Sequence, residues 1–376
     1  MIKILIDASI VSKGGGVQVA LSLIENIAAD SDFKATCVVN SEIDNQLSTL
    51  TKQSFDKYYI EKIEPIYKKF SQGKRISKIE KEINPDFVFV VFGPAYWKPK
   101  SKTLQGFALG KMLYQKELKI GIFEKCINFL KKLIFKWSNS FLVVETELVK
   151  EKLENYLKYN TDIYVIGNSY SPAFYQCVMD NKATILPSDD YFQLLVPGSY
   201  YPHKNLEKII YSLVHLKERL KKHSQQFKLL FTIPKSSENW KALYQIAIKY
   251  EVENFIETIG FIDNSKFAEL YLKSNAVICA SLVESSTAVF PESFLAMKPL
   301  LVSDRPFAHE LCENAALYFD PLNEVSIADV IWSLIIDESL QDVLVKNGQK
   351  VLLKNYPSAK QKWALQKKLI IELANK

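Results

Sequence analysis

Long hydrophobic runs, paired cysteines and clustered histidines are all missing from this sequence, and each absence closes off a class of protein. The most apolar window, FVFVVFG at residues 87 to 93, has the length of a buried strand and falls well short of the ~20 residues a spanning helix needs. The opening MIKILIDASI also reads as a first buried strand, running into glycines rather than into the cleavage site of a signal peptide. The five cysteines, Cys37, Cys126, Cys177, Cys279 and Cys312, are scattered, odd in number and free of C-x-x-C spacing. That disfavours a disulfide framework and a zinc site and fits a cytoplasmic location. All four histidines, His203, His215, His223 and His309, lie in the C-terminal half, so the first half offers no imidazole for acid–base chemistry.

What is present is the balance of a globular chain, 48% apolar and 24% charged over 376 residues, a length that divides into two domains. The net charge of +6 is unevenly spread, because residues 98 to 136 hold ten lysines against two glutamates. One face of the first domain is therefore strongly basic. No nucleic-acid-binding module accompanies that charge, and no nucleic-acid partner is expected.

Strands and helices alternate. Residues 3 to 7 form a strand, Gly14, Gly15 and Gly16 a turn, and VQVALSLIENIAA an amphipathic helix, followed by strands at 35 to 40, 86 to 93 and 140 to 145. A polar, poorly periodic stretch at 179 to 190 reads as a linker, after which the pattern restarts with YFQLLVPG, FKLLFTIP, FIETIGF, NAVICAS and LLVSD as strands. The fold class is α/β with two Rossmann-like, doubly wound parallel-sheet domains. Their expected bounds are 1–178 and 179–355, with a last helix in 356–376 crossing back to the first domain.

The GGGVQ turn is not G-x-G-x-x-G, and the second strand ends at Asn40 where a dehydrogenase would carry an acidic ribose ligand. Gly15 and Gly16 still let a ligand approach backbone N–H groups at a helix start, which suits a diphosphate or a sugar beside one. Asp30-Ser31-Asp32 has the D-x-D form of metal-dependent transferases but sits between a helix and a strand, as a solvated turn, and no metal is expected there.

In the second half, NAVICAS leads into Glu284, and Glu292 follows in LVESSTAVFPESFLAMKPLLVSD, with Pro299 ahead of a strand ending in Ser303-Asp304. VPGSYYPHKN carries Lys204, IGFIDNSKFAELYLKSNAV carries Phe261, and HELCENAALYFDP carries Glu310. In this order the pieces resemble the signature of the family-4 retaining glycosyltransferases (glycosyl transferases group 1) of the GT-B fold, whose two domains face a cleft. The resemblance implies that Glu284 sits beside the transferred sugar and Glu292 holds the ribose. Lys204 would neutralise the departing diphosphate, and backbone N–H groups from Ser285 through Ser286, Thr287 and Ala288 to Val289 would face the phosphates. The donor set is then Gly15, Gly16, Ser199, Lys204, Phe261, Ser286, Thr287, Ala288, Val289 and Glu292, with Glu284 and Lys204 catalytic. The implied substrate is a nucleotide sugar of UDP or GDP type, with no other cofactor and no metal. The acceptor would be a glycan or lipid-linked glycan of bacterial surface polysaccharide.

Three positions depart from the family pattern. Ser199 stands where an arginine often follows the strand glycine, Ser285-Ser286 replaces the usual Gly-Phe, and GFALGK at 106 to 111 occupies the place of an N-domain histidine. Two rival classes share the fold: a nucleotide-sugar epimerase or hydrolase, and a catalytically silent partner subunit.

Within the basic region, IFEKCINFLKKLIFKW at 122 to 137 places Ile122, Phe123, Cys126, Ile127, Phe129, Leu130, Leu133, Ile134 and Trp137 on one side of a helix, with only Phe135 on the other. Two environments suit that stripe. It would pack against the first sheet, or segment 111–137 would lie on the inner face of an anionic membrane, as family members with lipid-linked acceptors do.

Overall fold

IKILID becomes an interior strand because it is apolar on both faces. In the computed structural model, which describes residues 1–12, 14–260, 262 and 264–376 (264 and 265 by backbone only), β1 (Ile2–Asp7) pairs in parallel with β2 (Phe33–Asn40) on one side and β4 (Phe87–Val90) on the other. Ile4 and Ile6 enter a core with Ala20 and Ile24 of the helix Gly15–Ala28, while Leu5 enters a second core with Ile76, Ile79 and Ile83 of the helix Lys69–Ile83. Helices thus cover both faces, as a parallel sheet requires. With β3 (Lys57–Glu61), β5 (Lys102–Gly106), β6 (Phe141–Val144) and β7 (Ile163–Val165), the described residues form a seven-stranded sheet in the order β3-β2-β1-β4-β5-β6-β7.

The second sheet repeats the plan with six strands: β8 (Phe192–Val196), β9 (Phe227–Phe231), β10 (Ile256–Thr258), β11 (Ala276–Cys279), β12 (Leu300–Ser303) and β13 (Ala316–Phe319), in the order β10-β9-β8-β11-β12-β13. Leu194, Leu229 and Ile278 pack there with Ile209 and Leu213 of the helix Leu206–Lys222 and Ile327 and Ile331 of the helix Glu324–Ile336.

The chain divides into two units, 1–171 with 358–376, and 172–357. A boundary after residue 178 would cut the helix Pro172–Asn181, which buries Phe174 and Val178 and sets Phe174 edge-on to Tyr271 at 5.1 Å. That helix belongs to the second unit, and the polar stretch 179–190 begins in its last turn and runs on to β8 within that unit instead of joining the units. The final helix, Ala359–Asn375, starts with a Ser358–Gln361 capping box and places Leu369, Ile370 and Leu373 in the first unit's core.

Asp30 and Asp32 hold that helix. Lys367 Nζ lies 2.8 Å from Asp30 Oδ2 and 2.6 Å from Asp32 Oδ2, and the Trp363 indole donates to Asp30 at 3.1 Å. The D-x-D turn is a cation-binding pair whose cation is a lysine of the same chain.

The segment 122–137 is a helix, Ile122–Ser138, but most of its apolar stripe is not packed, Ile134 being the stripe residue that is buried. Its buried positions are Asn128, Ile134, Phe135 and Ser138. Phe135 is 1% exposed and lies 5.6 Å from the Phe107 ring, Asn128 donates to Lys111 O, and Ser138 Oγ accepts from the buried Gln105 amide. The residue out of register with the stripe is therefore the anchor. Ile122, Phe123, Cys126, Phe129, Leu130, Leu133 and Trp137 face solvent, Phe123 being 80% exposed. Among the described residues no helix is long and apolar enough to cross a membrane.

Candidate active site

In the second sheet the strand order reverses between β8 and β11, which are hydrogen-bonded neighbours although β9 and β10 intervene in sequence. The crevice beyond the carboxyl ends at such a switch point is where doubly wound sheets bind ligands. The two loops leaving it carry Lys204 and Glu284.

After β8, Gly198 turns the chain with a positive φ of 102°, its N–H bonded to Thr232 Oγ1 at 2.8 Å, and a side chain built on it would meet open space. Ser199 is exposed beside it. A short 3₁₀ turn, Pro202–Lys204, ends on Asn205 in the left-handed conformation, whose amide is fastened to Pro321 O at 2.7 Å, and the helix Leu206–Lys222 begins there. This fixes Lys204 at the strand end. After β11, Leu282 N–H bonds to His203 O at 2.8 Å, so the two loops are stitched together one residue from Lys204.

The result is an ion pair between groups 80 residues apart: Lys204 Nζ to Glu284 Oε1, 2.6 Å, with side chains only 18% and 10% exposed. Ser281 Oγ donates to the same carboxylate oxygen at 2.7 Å. Burial lowers the affinity of the Lys204 ammonium for its proton, but the charge of Glu284 outweighs it and holds the group above the usual lysine range. The ammonium is therefore a fixed positive charge at the mouth of the crevice.

Glu292 sits in the first turn of the helix Val289–Leu295. Burial pushes its carboxyl up to about 8, against a hydrogen bond from the Tyr271 hydroxyl at 2.9 Å that works the other way. The loop before it has spare polar groups. Ser286 Oγ is buried without a hydrogen-bond partner among the described residues, and Ala288 provides no side-chain cap for the helix. Thr287 Oγ1 accepts from Val289 N–H at 3.3 Å.

The other expected residues lie on other elements. Gly15 and Gly16 open the helix Gly15–Ala28 in the first unit; a side chain built on Gly15 would meet nothing, one on Gly16 would meet Val11 Cγ1 at 3.2 Å. Phe261 lies outside the described residues. Asp304 bonds His309 Nε2 at 2.7 Å, the imidazole stacking on Tyr318, and Glu310 follows on the same helix, Pro306–Cys312.

Sequence reasoning missed Ser281 and Tyr271. The first stands three residues ahead of Glu284, the reach of a local side-chain bond. The second is masked by its place among the apolar residues of FAELYLKS, where an aromatic reads as core.

Residues 179–351 match the family model described as glycosyl transferases group 1. The O-antigen chain mannosyltransferase RfbU of Salmonella typhimurium is 25% identical over 236 residues, a stretch that spans 62% of this chain and 60% of that protein's length. Among solved structures, Anabaena HepE in complex with UDP and glucose superimposes with a TM-score of 0.76 over 99% of this chain and 100% of its own, at 13% identity. A glycosyltransferase from Rickettsia africae does so with a TM-score of 0.72 over 99% and 98%, at 16% identity. At those identities the superpositions speak for the fold, two Rossmann-like units of the GT-B kind. The matched residues, just under half of the chain, carry Lys204, Glu284 and Glu292, and this part of the chain is similar to the glycosyl transferases group 1.

Proposed function

We propose that this protein is a retaining glycosyltransferase that moves a sugar from a nucleotide-sugar donor to a glycan or lipid-linked glycan acceptor in bacterial surface polysaccharide assembly, without a metal ion. The observation that carries the reading is the Lys204–Glu284 pair at the β8/β11 switch point, with Glu292 eight positions on and the unpartnered Ser286 hydroxyl in the loop between the two carboxylates.

The roles follow from charge and position. Breaking the donor's bond between the anomeric carbon and the phosphate oxygen leaves a diphosphate, whose growing charge the fixed Lys204 ammonium stabilises; this is electrostatic work of the kind a metal does elsewhere. Glu284, already satisfied by Lys204 and Ser281, accepts hydroxyls of the transferred sugar through its second oxygen. Glu292 accepts the ribose hydroxyls, and Ser286 donates to phosphate. The acceptor hydroxyl attacks on the face the leaving group departs from and passes its proton to the leaving phosphate oxygen, so configuration is retained and neither carboxylate needs to act as a nucleophile. Two carboxyls in a glycosidase flank one bond; here one of them is occupied by an ammonium.

Support for the substrate class comes from RfbU, named as an O-antigen mannosyltransferase, and from HepE, crystallised with UDP and glucose. A cytoplasmic site of action and contact of 111–137 with the anionic inner leaflet belong to the same proposal, supported by the outward stripe of the helix Ile122–Ser138.

The test is a binding and hydrolysis panel of UDP-, GDP- and dTDP-sugars in EDTA, comparing wild type with Lys204→Ala and Glu292→Ala. One donor class should bind and be slowly hydrolysed without metal, and both variants should lose affinity. Absence of binding by any nucleotide sugar would leave a silent partner subunit as the better account.

A further inference from the structure

The helix Ile122–Ser138 is not alone in turning apolar side chains outward. Some sixty residues earlier, the loop, the 3₁₀ turn Ile66–Lys68 and the first turn of the helix Lys69–Ile83 expose Ile63, Ile66, Tyr67 and Phe70, Tyr67 being 78% exposed. Neither periodicity nor composition marks this stretch in the sequence. The structure joins it to the first. The Phe70 ring lies 6.5 Å from the Trp137 ring at the end of the stripe and 5.5 Å, edge-on, from Tyr96. Loop and helix thus present one apolar surface, with a half-exposed aromatic pair at the seam. Monomers in water rarely leave a contiguous patch of this extent uncovered.

The charges around it identify what covers it. The carboxylates nearby in sequence are already engaged: Glu61 and Glu64 by Arg75, Glu124 by Lys111. Lys62, Lys68, Lys74, Lys125 and Lys136 flank the two apolar segments and have no carboxylate partner among the described residues. An apolar centre rich in aromatics, rimmed by unpaired lysines, is complementary to a surface that is apolar within and anionic at its boundary. A second copy of this chain would bring a like-charged rim against this one, which is unfavourable.

We propose that residues 63–70 and the outward stripe of the helix Ile122–Ser138 form a single docking surface for an anionic lipid bilayer, with the Phe70–Trp137 seam at its middle. This deepens the membrane contact proposed above and rests on it. Two anchors remote in sequence define a plane, where a single helix would define only an axis about which the first unit could roll. The loop anchor therefore sets the tilt of the first unit on the bilayer.

Co-sedimentation of the full chain with phosphatidylcholine vesicles, with and without phosphatidylglycerol, tests this. Wild type should pellet with the anionic vesicles only, and less so as salt rises. The loop variant Ile66→Ser/Tyr67→Ser, whose side chains are exposed and whose fold can be checked by circular dichroism, should weaken the partition on the order of tenfold. The helix variant Phe123→Ser/Leu130→Ser should do likewise, and Lys125→Glu/Lys136→Glu should remove the preference for anionic lipid. If the loop variant binds vesicles as wild type does while the helix variant does not, the joint surface is wrong. If wild type ignores vesicles and instead self-associates through the same residues, the partner is a second copy and the lipid assignment falls. Nucleotide-sugar binding measured on the same samples without vesicles separates this from the transferase reading, since loss of lipid binding with donor binding intact overturns only the docking surface.

Discussion

Tyr271, wholly buried in the helix Asn264–Lys273, donates its hydroxyl hydrogen to Glu292 Oε2 at 2.9 Å and so works against the burial that drives this carboxyl up to about 8. A glutamate in that setting is a protonated acid through most of the neutral range. Its folded-state value lies above the ordinary 4.5, so its contribution to stability is fully present below about 4.5 and is lost as pH rises toward about 8. Glu292→Gln, which cannot ionise, should escape that loss. The melting temperatures of wild type and Glu292→Gln, followed from acid to mildly alkaline pH, should separate progressively in favour of the variant; parallel curves would contradict the assignment.

The same protonation state bears on the donor. Ribose hydroxyls are better bound by a carboxylate than by its acid, so donor affinity should strengthen as pH rises toward 8. Tyr271→Phe removes the donor that favours ionisation and should shift this rise to higher pH. Isothermal titration at several pH values reads it directly.

Lys204 and Glu284 should behave as a unit. Lys204→Met leaves a mostly buried carboxylate with Ser281 alone, a loss of roughly 3–5 kcal/mol by the general cost of breaking buried pairs. Lys204→Met/Glu284→Gln should cost less than the sum of the single changes, and a denaturation double-mutant cycle measures the difference. Transfer activity should fall by about a hundredfold or more in either Lys204 variant, since the charge meant for the leaving group is gone.

Within the helix Ile122–Ser138, stability should depend on the residue that breaks the pattern. Phe135→Ala is expected to cost ~3–5 kcal/mol, whereas Leu130→Ser, on the apolar stripe, should stay within roughly 0.5 kcal/mol of wild type. Urea denaturation midpoints of the two variants decide it. A large loss from Leu130→Ser would mean that the stripe is packed after all.

Asp30 should answer to Lys367 and not to a divalent cation. Lys367→Ala should speed amide exchange in the helix Ala359–Asn375 by releasing one of its ties. Added Mn²⁺ should leave the melting temperature of wild type unchanged; a rise with Mn²⁺ would restore the metal reading of Asp30-Ser31-Asp32.

The alternation of strands and helices was legible because interior parallel strands are apolar on both faces, as in IKILID and AVIC. β3 and β5 were not, since KYYIE is a half-exposed edge and KTLQG carries a buried glutamine that a strand-by-hydropathy reading takes for surface. Gln105 is tolerated there because its amide serves Ala95 N–H, Ser138 and Ser140, partners that only the folded chain supplies. Lys204, Glu284 and Glu292 could be singled out because the pieces that carry them stand in the order of the family signature they resemble. Which side of the helix Ile122–Ser138 is inside could not be read, because the decision rests on how Phe135 fits against Phe107, a contact between distant parts of the chain.

The helix Ala359–Asn375 completes the core that β1 begins, through Leu369, Ile370 and Leu373 beside Ile4 and Ile24. During synthesis the first unit's core therefore stays open where that helix will lie until residues 172–357 have been made. The unit encoded second is the one able to finish first, and losing the helix Ala359–Asn375 would harm the unit that was begun at the start.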